Sequence, residues 1–215
     1  MTAGDRTEHS GAFACLVPLR GEQDTNGGDR GRLCQHPGVT NFEIPRPACG
    51  DVVDLILADH RVFEELLHLL RDETQDRAAV RAMLADLLAA HAEGEERHVY
   101  PTLVRGHAVD EAEVEHGTHE HLEVNEQLLA LLEVTDLRSA GFDHAVKELT
   151  KALAHHLDEE EREILNPARA DVPEDTRAEL GRRFAEERTR QLDARAGDAA
   201  NVRRLIERER QRARA

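Results

Sequence analysis

From Asp51 onward apolar residues return every three or four positions, and four such stretches follow one another with short gaps. That period is the signature of amphipathic helices. Val53, Ile56, Phe63, Leu67 and Leu70 make the first stripe. The second stretch is expected over about 77–100, closed by Pro101, and the third over roughly 111–132, with Leu128 and Leu132 on its apolar side. The fourth covers about 141–165 and is ended by the Asn-Pro pair at 166 and 167. Short connections favour antiparallel neighbours, so the chain is expected to be all-α, with an antiparallel up-and-down four-helix bundle at residues 51–170. Composition agrees, because aromatic residues make up only 3% and tryptophan is absent, which leaves little to build strands. Residues 1–50 carry Gly and Pro without a sustained period and read as a disordered N-terminal extension. Residues 171–215 read as a C-terminal helical extension, with pieces near 174–195 and 198–213; Leu180, Phe184 and Leu192 suggest that the first packs on the bundle.

The formal net charge is -16, and it is concentrated in the bundle, where 11 basic face 29 acidic side chains across residues 51–173. Such a surface repels nucleic acid and anionic lipid, so neither is expected as a partner; a cation is the more natural guest. The last 42 residues are mildly basic, 12 against 9, but their alternating Arg and Glu is the pattern of a solvated helix face. Cys15, Cys34 and Cys49 are odd in number and lack CxxC spacing, so they define neither a disulfide framework nor a four-ligand zinc site, and "CQH" at 34–36 offers too few ligands for one. No basic run followed by an apolar run opens the chain, and no apolar stretch approaches the roughly 20 residues that span a bilayer. A cytoplasmic protein is expected.

The bundle region also looks duplicated. "DHRVFEELLHLL" at 59–70 resembles "EHLEVNEQLLAL" at 120–131, matching His60 to His121. "HAEGEERHVYP" at 91–101 parallels "HLDEEEREILNP" at 156–167, each with a His, a Glu four residues later and a Pro at the end. Two similar helix pairs imply a pseudo-twofold bundle.

Phase separates inward from outward histidines, because residues at i, i+3, i+4 and i+7 share a helix face. His60 lies between Val53 and Ile56 before it and Phe63 and Leu67 after it, within the buried stripe. His91 continues the face of Leu84, Leu87 and Leu88, and Glu95 extends it. His156 follows Leu149, Ala152 and Leu153, with Glu160 beside it, whereas the neighbouring His155 follows Glu148 and Lys151. In the third helix His121 leads into Val124, Leu128 and Leu132. By the same test His9, His36, His68, His98, His107 and His144 are expected at the surface. Four imidazoles and two carboxylates from four helices therefore point at one interior. Buried carboxylates need compensating positive charge. A dinuclear metal site with ligands His60, His91, Glu95, His121, His156 and Glu160 supplies it, and this donor set suits iron, manganese or zinc. Glu64, one turn after His60, is a candidate extra ligand or outer hydrogen-bond partner.

This ordering, His60, then His91 with Glu95, then His121, then His156 with Glu160, resembles the hemerythrin family and its HHE cation-binding branch over about residues 51–167. The resemblance implies two non-haem iron ions, bridged by Glu95 and Glu160 and held by the four histidines, with an open position that meets dioxygen, nitric oxide or peroxide. Oxygen-carrying members have a second third-helix histidine; the matching positions here are Gly117 and Asn125, with His116 and His119 nearby. The set is therefore closer to that of di-iron proteins linked with iron-sulfur repair and nitrosative stress. Binding or sensing of a small oxidant under oxidative or nitrosative stress is one implied function. The alternative is enzymatic, either catalase-like peroxide disproportionation or repair of iron-sulfur clusters by iron donation. A ferritin-like oxidase would use ExxH, which occurs at 95–98 and 113–116 but nowhere in the fourth helix.

Overall fold

A computed structural model describes residues 42–212, and all regular structure among them is helical. The elements in order are α1 Val52–Arg71, α2 Arg77–Gly94, α3 Tyr100–Arg105, α4 Glu111–Glu133, α5 Ala140–Glu160, α6 Asn166–Asp171, α7 Glu174–Asp193 and α8 Ala199–Arg212. Residues 1–41, which include Cys15, Cys34, His9 and His36 and most of the segment read as disordered, lie outside the described residues. No described helix is long and apolar enough to cross a membrane.

Side-chain caps explain where three of the four bundle helices begin. The Asp51 carboxylate accepts from the Val53 N–H, Asp76 from those of Ala78 and Ala79, and Ser139 from that of Phe142. Helix α1 packs against α2 and α5, and α4 packs against α5 and α2, which closes an antiparallel four-helix bundle. Its apolar interior falls into two layers. One gathers Phe63, Leu66, Leu84, Leu128, Phe142 and Leu149; the other gathers Val53, Ile56, Val99, Leu103, Ile164 and Leu180. His60 stands between Ile56 and Phe63 on α1, where one layer gives way to the other.

Two helix ends differ from the sequence expectation. Pro101 does not close the second helix, nor does Pro167 end the fourth; each falls in the first turn of a short continuation, α3 or α6. Between α2 and α3, and again between α5 and α6, lies one π turn, at Glu95–Val99 and Glu161–Leu165. There the Tyr100 N–H bonds the Glu95 carbonyl and the Asn166 N–H that of Glu161, five residues back. The wider turn resets the helix, so each proline occupies a first-turn position where its missing N–H is tolerated.

The C-terminal helices pack on the bundle, α7 on α2 and α1 and α8 on α4. Leu180, Phe184 and Leu192 are all buried, as their spacing predicts. The basic end keeps the exposed charged face that its alternation predicts, and part of that face also pairs with acidic residues of the bundle. Arg203 and Arg210 reach Glu133 and Glu126, each at 2.7 Å, while Arg208 pairs with Glu93 and with Glu96 at 3.1 Å. Single-sequence periodicity shows alternation of charge but not the opposite charge that another helix brings to it. Gly197 makes the approach of α8 possible, since a Cβ there would stand 2.2 Å from the Ala85 backbone carbon. Residues 42–50, without helix, carry Phe42 and Ile44 onto the first apolar layer.

Candidate metal centre

All six residues singled out by helical phase are buried: His60, His91, Glu95, His121, His156 and Glu160. They form two imidazole pairs, His60 with His91 and His121 with His156, whose ring centres are 5.3 and 4.6 Å apart. The two glutamates link the pairs. Glu95 places Oε1 3.1 Å from His91 Nε2 and Oε2 3.3 Å from His121 Nε2. Glu160 Oε2 stands 3.2 Å from His60 Nε2 and 3.8 Å from His156 Nε2. None of these approaches has the geometry of a hydrogen bond. The Nε2 atoms of all four histidines, Glu95 Oε1 and Glu160 Oε2 are buried without a hydrogen-bonding partner. Six orphaned donors facing one another would be costly in an apolar interior, and bound cations are the partners that this donor set fits.

The other nitrogen of each ring is provided for. His60 Nδ1 lies 2.8 Å from Glu161, His91 Nδ1 3.2 Å from Asp59, His121 Nδ1 3.4 Å from Glu96 and His156 Nδ1 3.2 Å from Glu120. A carboxylate only accepts, so each ring carries a proton on Nδ1 and, when neutral, turns the lone pair of Nε2 inward. Sequence reasoning missed these four carboxylates, although a signal was present. Each first-helix histidine of the duplicated unit is preceded by an acid, Asp59-His60 and Glu120-His121, and each bridging position is followed by one, Glu95-Glu96 and Glu160-Glu161. Glu64, the sequence candidate for such a role, is exposed, and Glu161, in the π turn that follows the neighbouring helix α5, serves His60 instead.

Two of the outer carboxylates are held by the C-terminal helices. Arg188 on α7 grips Asp59 with both Nε and Nη2 at 2.7 Å, and both side chains are buried. Arg208 and Arg212 on α8 contact Glu96 at 3.1 and 3.0 Å. His91 and His121, one from each imidazole pair, are thus backed by a carboxylate and then by a guanidinium.

Tyr100 is the other group that sequence phase did not find. Its hydroxyl donates to Glu160 Oε1 at 2.9 Å and lies 3.4 Å from Glu95 Oε2. At 100° per residue, Tyr100 would stand about 140° around the helix from Glu95. The π turn between them, with its five-residue closure, brings it back to the same side. The duplicated unit has Leu165 in the matching place, so the pocket contains one phenol and not two.

The charges follow from this crowding. Burial favours neutral rings, yet Glu95 and Asp59 push His91 up to about 10, and Glu95 with Glu96 push His121 up to about 10. Burial likewise opposes a charge on His60, but Glu160 and Glu161 raise it. His156 is lowered, by burial and by the neighbouring His121 charge. Glu95, despite burial, is held well below the usual carboxylate range by His91 and His121. Burial and the charges of Glu160 and Glu95 raise Tyr100 well above its ordinary value, which keeps its proton on the oxygen.

Of the remaining candidates, His68, His107, His144, His116, His119 and His155 are exposed and His98 is half-buried. Neither ExxH histidine, His98 or His116, is among the buried residues. The positions where oxygen carriers are expected to have their further histidine are both buried here, and a Cβ on Gly117 would come within 3.7 Å of the Tyr100 hydroxyl. The phenol occupies that side of the pocket.

An antiparallel helical bundle with imidazoles and carboxylates enclosed between two apolar layers defines a cation-binding bundle protein. Residues 51–168 match the hemerythrin HHE cation binding domain, and the chain belongs to that family. No curated protein and no solved structure matches it.

Proposed function

We propose that the chain holds two non-haem iron ions between its two imidazole pairs and uses them to bind or sense dioxygen, nitric oxide or peroxide under oxidative or nitrosative stress. The observation that carries this reading is the set of six buried donor atoms without hydrogen-bonding partners, four of them on two histidine pairs and two on the glutamates that each reach from one pair to the other. His60, His91, His121 and His156 are the terminal ligands, and Glu95 and Glu160 the shared ones. Manganese or zinc suits the same donors. A redox-active pair in this pocket would supply Lewis acidity and electrons to a small oxidant. The chain's own contribution is to fix the rings through Asp59, Glu96, Glu120 and Glu161, to exclude bulk water with the two apolar layers, and to present the Tyr100 hydroxyl to both shared carboxylates. A groove of about 780 Å³ beside α3, α4 and α8 is lined by Tyr100 and Glu96 and offers a small ligand a way toward the pocket.

Metal analysis of protein purified without chelators tests the site. About two irons per chain are expected, with charge-transfer bands that shift on adding nitric oxide; Glu95→Ala should lose most of the metal and the bands. Fewer than one metal per chain, with no change in melting temperature on adding ferrous iron, would end the proposal.

The phenol set between the two glutamates favours a second, enzymatic reading, peroxide disproportionation, because it is a fixed hydrogen-bond donor at the pocket, able to hold a bound oxygen species in place. Sustained oxygen release from hydrogen peroxide, reduced at least about tenfold in a Tyr100→Phe protein that keeps its metal, would select catalysis. A single stoichiometric reaction, unaffected by Tyr100→Phe, would select sensing.

A further inference from the structure

Outside the central pocket, α4 and α5 bring together a second group of donors. His116 Nε2 stands 2.8 Å from Glu159 Oε2 and 3.7 Å from Glu120 Oε1, and His155 Nε2 stands 3.5 Å from that same Glu120 oxygen. Atoms of His116, Glu120 and Glu159 all lie within 4.8 Å of one another. Glu120 is the anchor. Its side chain is only 6% exposed, its Oε2 faces His156 Nδ1 at 3.2 Å, and its Oε1 is buried without a hydrogen-bonding partner while facing the two outer histidines. The surrounding three are open to solvent, with His116 52%, His155 57% and Glu159 25% exposed, so an ion can reach them directly.

The geometry points to a third cation site, separate from the central pair, in which His116, His155, Glu120 and Glu159 bind one divalent ion of the zinc or ferrous class. Two imidazoles and two carboxylates match the donors and the coordination number that zinc prefers. Ligand atoms about 2.0–2.2 Å from a tetrahedral zinc stand roughly 3.3–3.6 Å from one another. The Glu120 contacts are already near that spacing; the His116–Glu159 hydrogen bond must open, and the exposed His155 ring, which lies outside the three-residue cluster, must turn in to complete the set. The consequence for the protein is coupling. One carboxylate would serve the outer ion through Oε1 and orient the His156 ring through Oε2, so occupancy outside is felt one residue away from the central donors. This outer site needs no ion in the central pocket.

Equilibrium dialysis of the full chain against buffered zinc, with metal counting, tests it by difference. The His116→Ala/His155→Ala protein alters exposed residues alone and should melt at the wild-type temperature in metal-free buffer. It is expected to take up about one zinc fewer than the wild-type chain, whatever the wild-type total. Glu159→Gln should weaken the same equivalent without touching the others. Equal uptake by the wild-type and double-variant chains would overturn the outer site. A wild-type chain binding just the one zinc that the double variant loses would support it while removing the central pair.

Discussion

Cation affinity is expected to rise about a hundredfold per pH unit below pH 10, because ligation must displace one proton from each of His91 and His121. Both rings are pushed up to about 10 in the metal-free pocket, while Glu95 is already ionised throughout this range. The raised His60 would add to the dependence. The same protons act on the metal-free fold. A group whose folded pKa is raised stabilises the fold fully below its unfolded value, about 6.5 for histidine, and that contribution is lost as pH climbs through the folded value. The metal-free chain should therefore lose melting temperature steadily from about pH 6.5 to 10, whereas the loaded chain, its imidazoles neutral and ligated, should hold nearly level. Competition with a chelator of known proton dependence measures the first effect, and thermal melts across that range measure the second. A flat affinity profile would mean that His91 and His121 do not meet the ions.

Loss of one arginine far outside the bundle sequence should do nearly as much damage as loss of a ligand. Arg188→Met removes both bonds that hold the buried Asp59 and leaves its carboxylate facing His91 alone. Stranding one partner of a buried ion pair typically costs about 3–5 kcal/mol, and urea unfolding of the metal-free protein should show it. Asp59 also orients the His91 ring, so cation affinity should fall roughly ten- to a hundredfold. The double variant Arg188→Met/Asp59→Asn separates the two effects. It removes the stranded charge and should recover stability, but it cannot restore a carboxylate behind His91, so affinity should stay low. If Arg188→Met changed neither quantity, α7 would be packing on the bundle without supporting its pocket.

The periodic stripes that begin at Asp51 and run over about 77–100, 111–132 and 141–165 were legible as helical because a helix exposes its burial pattern locally, at three- and four-residue intervals. The same rule chose His156 over its neighbour His155 and His121 over His116 and His119, and in each case the chosen ring is the buried one. Phase within one helix carries that information without reference to any partner. It carries no information across a π turn, where the register slips; Tyr100 and the continuations past Pro101 and Pro167 were therefore invisible to it. Nor can it show which side chain a ring's second nitrogen will meet. Asp59 serving His91, Glu161 serving His60, and Arg188 behind Asp59 join residues 32, 101 and 129 positions apart. The sequence by itself determined which faces turn inward and which donors they bear. Tertiary structure decided how those donors are paired, oriented and backed by the C-terminal arginines, because such contacts depend on helix crossing and register that no single periodicity records.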